Sequence, residues 1–254
     1  MKYEDLEIYL DEDLSWRKKE ISSLMFIAKG NEKEEVLLKS IILLLYAHWE
    51  GYIKKSSKLY IKYISERKIA LGKLCNNFKA VALKTNIKEC LNAAESMSLS
   101  HEIAFMEKYD KMESKKFKIN IDVDNDFETD IIDTKANLKP KVFKNIISVL
   151  GLTYKKAIET REKYINSYLL ASRNTIGHGS KFDGSSTGFT LEIKEIEKLK
   201  EIVISIIDNF RDELLEYGRN EFYLMEKESE KIAFQTSMEA ELEKIFSDIE
   251  ASYL

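Results

Sequence analysis

The stretch Leu37–Ile53, LLKSIILLLYAHWEGYI, carries Leu37, Leu38, Ile41, Ile42, Leu45, Trp49, Tyr52 and Ile53 at spacings of three and four. On a helix those positions leave apolar side chains facing nearly every direction, which is the pattern of a helix at the centre of a bundle rather than on its rim. Its uninterrupted apolar part, Ser40–Trp49, is far short of the roughly 20 residues of a membrane span. The segment is therefore expected in a protein core, with no membrane association.

Working outward, apolar residues recur at helical spacing along most of the chain. Helices are predicted over 3–29, 33–67, 73–112, 139–150, 153–177, 191–217 and 220–251. One proline, nine glycines and 33% charged residues fit this mostly α reading, because little interrupts the helices and many long side chains favour them. Pro140 sits where a missing N–H does no harm in a first turn, Asn137 is a candidate cap for the same helix, and Gly151 ends it. The 254 residues are expected to form a single α-helical domain.

One segment departs from the pattern. In Lys116–Asp133, Phe117, Ile119, Ile121 and Val123 alternate, an Asn-Asp turn follows, and Phe127 and Ile131 continue, so a small β-hairpin insertion is predicted over 116–133. Asp122, Asp124, Asp126 and Glu128 alternate like the start of a calcium loop. Phe127, however, occupies the glycine position and Asp133 stands where the bidentate glutamate belongs, so no metal site is expected. Cys75 and Cys90 lack metal or disulfide spacing, and the charged N-terminus lacks the apolar core of a signal peptide. A reducing cytoplasmic location is the expectation.

Charge is unevenly distributed. Lys54 to Lys88 holds ten basic residues against Glu66 alone, whereas Asp208 to the C-terminus holds thirteen acids against five bases. The basic stripe, interleaved with Tyr60, Tyr63 and Phe78, has the makings of a surface that tracks a phosphate backbone and stacks bases. Lys54, Lys55, Lys58 and Lys62, with Lys181 in the later Gly/Ser loop, are its candidate RNA contacts. The bland alternative is a solvated helix face balanced by an acidic neighbour.

The chemistry points to Ser172–Ser180, SRNTIGHGS, at the end of the helix predicted over 153–177. Arginine supplies a permanent fork for phosphate, and histidine moves a proton near neutral pH. Arg173 and His178 are five residues apart, which on an ideal helix aims them about 140° away from each other. Their convergence requires the helix to loosen at its end, which Gly177 and Gly179 permit. His48 and Glu50, on the central helix, are candidate supports behind this pair, Glu50 by orienting an arginine or histidine and His48 more simply as a packed core residue.

The arginine, polar residue and histidine of Arg173–His178 resemble the signature of the HEPN superfamily. Three blocks, YAHWEGYIKKSSKLYIKYI, NLKPKVFKNIISVLGL and SRNTIGHG, in this order resemble one prokaryotic HEPN-like ribonuclease family found around defence and toxin-antitoxin loci. The resemblance spans residues 33–215 and leaves the first 32 residues, the insertion and the acidic helix over 220–251 unmatched. It implies an antiparallel helical bundle and a metal-independent endoribonuclease without cofactor, with Arg173 and His178 catalytic and Asn174 the polar residue that follows the arginine. It also implies a homodimer with a composite site, RNA as substrate, and an antitoxin or defence protein as partner. The rival expectation is a catalytically silent RNA- or protein-binding module of the same shape, in which the acidic C-terminal helix masks a basic surface or docks another protein.

Overall fold

A computed structural model describes residues 1–31, 34–92, 98–125, 131–135, 137–179 and 191–254. The chain runs through α1 (Tyr3–Lys29), α2 (Glu35–Glu66), α3 (Asn76–Asn92), α4 (Ser100–Asp110), α5 (Pro140–Leu150), the short α6 (Lys156–Glu159) and α7 (Glu162–Tyr164), a π-helical stretch (Ile165–Leu170), α8 (Ala171–Gly177), α9 (Ile193–Arg219) and α10 (Glu228–Ser252). The described residues contain no β-strand.

As its sequence predicts, α2 is the axis. It packs against α1, α9, α8 and α5, and α10 lies on the far side of α9. The stripe Leu6, Leu10, Leu14, Ile21, Met25 and Ala28 of α1 and the stripe Ile196, Leu199, Val203, Ile206, Phe210 and Leu214 of α9 close over it. Phe143 of α5 joins the layers, edge-on to Trp49 at 5.0 Å and to Phe210 at 5.9 Å. Truncating such a ring to alanine costs about 3–5 kcal/mol. By length and composition the 32 residues of α2 do contain an 18-residue window of mean hydropathy 1.3, the kind that can cross a membrane; half of that window is buried inside the bundle.

Pro140 stands in the first turn of α5, and Gly151 ends that helix with φ at 77°, the left-handed conformation glycine tolerates best. Asn137 is not its cap: Lys139 holds that position without a side-chain capping bond. The helix predicted over 73–112 divides into α3 and α4, with residues 93–97 between them outside the described residues. The one predicted over 153–177 is broken at Arg161 and widened into a π turn ahead of α8.

The predicted hairpin is also corrected. Residues 115–125 form a strap that runs along α2 and pairs, through an isolated bridge between Ala70 and Lys116, with the segment that follows α2. Ser65 Oγ accepts the Ile119 N–H at 2.8 Å and faces the Ile119 carbonyl at 3.1 Å, standing in for a partner strand. Phe117 and Ile121 are buried beneath the strap. Residues 126–130, including Asp126, Phe127 and Glu128, lie outside the described residues.

This strap, together with α1 and the end of α9, covers much of the C-terminal half of α2, so the first part of the basic stripe is partly buried, whereas Arg67, Lys68, Lys73, Lys84 and Lys88 stay exposed. Tyr60, Tyr63 and Phe78 are core residues rather than base-stacking platforms. The acidic C-terminal helix folds back in cis. Glu239 of α10 accepts the Lys156 and Ala157 N–H groups, both at 2.8 Å, and so caps α6. Arg161 forks onto Glu243 and Glu250 at 2.7–3.0 Å while its guanidinium lies 4.6 Å from the centre of the Phe246 ring.

Candidate active site

Helix α8 brings Arg173 and Asn174 against the face of α2 that carries Tyr46 and Glu50. These two are one turn apart, so they share a face. The Arg173 guanidinium stacks on the Tyr46 ring, 4.5 Å from its centre, and its Nη1 donates to Asn174 Oδ1 at 2.9 Å. Asn137, in the turn before α5, completes the group. Its Nδ2 lies 3.5 Å from Asn174 Oδ1, and its Oδ1 accepts the Tyr46 hydroxyl proton at 2.9 Å. The Leu138 N–H donates back to the same hydroxyl at 3.0 Å.

Burial, followed by the negative Glu50 carboxylate, pushes the Tyr46 phenol well above its ordinary pKa, while the Leu138 N–H and Arg173 pull the other way. The phenol stays protonated at any physiological pH, so it is a fixed hydroxyl and not a base. Glu50 thus acts on Tyr46, the ring on which Arg173 stacks.

His178 is exposed and caps the C-terminal end of α8, one residue past Gly177. Its N–H still bonds to the Asn174 carbonyl at 3.0 Å, and only at Gly179, with φ at 69°, does the backbone turn left-handed. The loosening allowed by the two glycines therefore comes after the histidine. Helical register is kept through His178, so Arg173 faces inward to Tyr46 while His178 points roughly 140° away from it.

The other sequence candidates lie elsewhere. His48 is on the face of α2 turned towards α1, edge-on to Trp16 at 5.1 Å, and its Nδ1 sits 3.3 Å from Arg17 Nη1. A guanidinium only donates, so Nδ1 is the acceptor and Nε2 carries the ring proton. Nε2 lies 3.2 Å from Glu20 Oε2 but out of line for a hydrogen bond. Burial and then Arg17 hold this imidazole below its ordinary pKa. His48 is a packed structural residue and does not approach Arg173.

Lys58 is buried, donating to the carbonyls of Asp122 and Asn125 at 3.1 and 2.6 Å, and so holds the strap instead of offering a charge to solvent. Lys55 pairs with Asp13 at 3.1 Å. Lys62 lines a cavity of about 440 Å³ between α1, α2 and the strap, with Glu12, Asp13 and Trp16. Lys54, one turn beyond Glu50, continues the Tyr46–Glu50 row. Lys181 and the rest of the loop over 180–190 lie outside the described residues. No cluster of three metal-ligating side chains occurs among the described residues.

Sequence reasoning missed two residues at this site. Tyr46 reads as part of the aliphatic run, and Asn137 reads as a helix cap. For Tyr46 the available signal was a phenol and a carboxylate four residues apart at the end of the apolar run of α2.

The all-helical bundle, with a helix that runs through Arg173 and Asn174 to His178 at its end and packs on the central helix, fits a HEPN-type domain. The chain belongs to the MAE_28990-like HEPN family, whose model matches residues 6–223. The match takes in α1 from Leu6 onward, which the resemblance over residues 33–215 had left out. No curated protein and no solved structure matches the chain.

Proposed function

We propose that the protein is a metal-independent endoribonuclease that cleaves RNA by attack of the 2′-hydroxyl, as a toxin or antiphage effector. The carrying observation is the end of α8, where a fixed, half-buried arginine and an exposed histidine stand five residues apart. Membership of a superfamily whose domains are often ribonucleases supports the same reading. RNA carries its own nucleophile, so the protein has only to remove the 2′ proton, stabilise the phosphorane and protonate the leaving 5′-oxygen. His178 transfers the proton, Arg173 holds the phosphate and Asn174 sets the arginine's edge. The products are a 2′,3′-cyclic phosphate and a 5′-hydroxyl.

Within one protomer α8 aims the two side chains apart, and one histidine cannot serve as both base and acid in a single step. A two-fold dimer that brings two α8 ends together supplies two of each group to one cleft. Single-stranded or looped RNA suits such a cleft, because its backbone reaches the in-line geometry a stiff duplex resists. In the rival reading as a silent module, the acidic helix serves in cis, where Glu239, Glu243 and Glu250 are already engaged, rather than by docking another protein through those carboxylates.

The test is incubation of labelled RNA with wild type, His178→Ala and Arg173→Ala in excess EDTA. Cleavage by wild type alone is expected. Equal cleavage by all three, or dependence on divalent metal, would overturn the reading.

A further inference from the structure

Four groups surround the Arg173 guanidinium in a closed circuit: the Tyr46 ring beneath it, Asn174 Oδ1 at its edge, Asn137 bridging Asn174 to the Tyr46 hydroxyl, and the Leu138 N–H fixing that hydroxyl. Both acceptor positions of Asn174 Oδ1 face donors, Arg173 Nη1 and Asn137 Nδ2, so its orientation is determined and its own NH2 group is turned away from them. Tyr46 is buried and protonated, so nothing in the circuit changes charge near neutral pH. Glu50 supplies the negative field.

We infer that Tyr46 and Asn137 are positioning residues for Arg173: the ring carries the face of the guanidinium and the Asn137–Asn174 amide pair fixes its edge. An arginine held in this way has lost its rotamer freedom before a phosphate arrives, and its free edge is aimed at one place. Asn174 acquires a second task from the same geometry, because its NH2 group is left to donate to a phosphate oxygen beside the arginine. The consequence for cleavage rests on the nuclease reading above. The arrangement of the guanidinium does not.

Two measurements on Tyr46→Phe, Tyr46→Leu and Asn137→Ala test the inference. The first labels each folded protein with phenylglyoxal and follows modification of individual arginines by peptide mass. Labelling of Arg173 is expected to rise about fivefold in Tyr46→Leu and Asn137→Ala, and less in Tyr46→Phe, which keeps the ring. Arg161, clasped between two glutamates far along the chain, stays protected and reports that the fold is intact. Unchanged Arg173 labelling with Arg161 still protected would overturn the inference.

The second measurement is kcat/KM on RNA, alone and combined with Arg173→Ala. Tyr46→Leu is expected to lower it about tenfold in wild type and to add nothing once Arg173 is gone, because a residue acting through another is silent in its absence. Losses that simply add would mean that Tyr46 acts independently of the arginine. A wild type that cleaves nothing would refute the nuclease reading, while the labelling result would still decide the positioning.

Discussion

Gly51 lies on α2 where the Arg17 side chain of α1 crosses it. A β-carbon added at Gly51 would stand 2.7 Å from Arg17 Nη1 and 3.3 Å from its Cζ, closer than packed atoms sit. Arg17 is buried, its guanidinium 4.4 Å from the centre of the Trp16 ring, and its Nε donates to Asp13 Oδ2 at 2.7 Å. Gly51→Ala therefore sets two effects against each other. Alanine in a helix interior gains about 1 kcal/mol over glycine. Displacing the guanidinium gives up a charge-assisted hydrogen bond to buried Asp13, about 1.5–3 kcal/mol, and its stacking on Trp16, about 1 kcal/mol. The net expectation is a destabilisation of about 2 kcal/mol, or a fall in Tm of roughly 4 °C or more for a chain of this size. In an Arg17→Ala background the obstacle is absent and the same change should stabilise by about 1 kcal/mol. Thermal unfolding of the four proteins reads the change of sign. Stabilisation in both backgrounds would refute the reasoning, since Arg17 would then be free to move aside.

Three further outcomes follow from buried charges. Lys155 and Glu213 form a buried ion pair, so Lys155→Met should strand the carboxylate and cost about 3–5 kcal/mol in denaturant unfolding, with much of the loss recovered by adding Glu213→Gln. The folded-state pKa of His48 lies below its unfolded value, so the unfolded chain binds the proton more readily as pH falls through the ordinary histidine range. Stability should therefore decline from neutral pH downward, and the decline should be shallower in His48→Gln. Arg161→Ala should loosen α10, costing about 2 kcal/mol because the partner glutamates are partly exposed, and raising hydrogen exchange in α10 before that in α2.

Much of the architecture was legible because one force dominates it: α1, α2, α5 and α9 follow from apolar spacing, and the end of α5 from Gly151. Failures came where tertiary partners decide. Phe117, Ile119, Ile121 and Val123 do alternate, but their pairing surface is helix α2, with Ser65 in the place of a neighbouring strand. Local charge could not reveal that the strap, α1 and α9 cover much of the lysine-rich half of α2, so that buried Lys58 holds backbone carbonyls. At the site, Arg173, Asn174 and His178 were readable from a short motif at a helix end. Tyr46 and Asn137 were not, because 91 residues separate them and only folding brings the hydroxyl to the amide.

The central claim, that RNA's own 2′-hydroxyl is the nucleophile, is tested most directly with an oligonucleotide carrying one 2′-deoxy nucleotide 5′ to a mapped cleavage site. Cleavage there should cease while neighbouring sites still yield 2′,3′-cyclic phosphate ends by mass. Cleavage that continues at the deoxy position, or products ending in 5′-phosphate, would contradict the account.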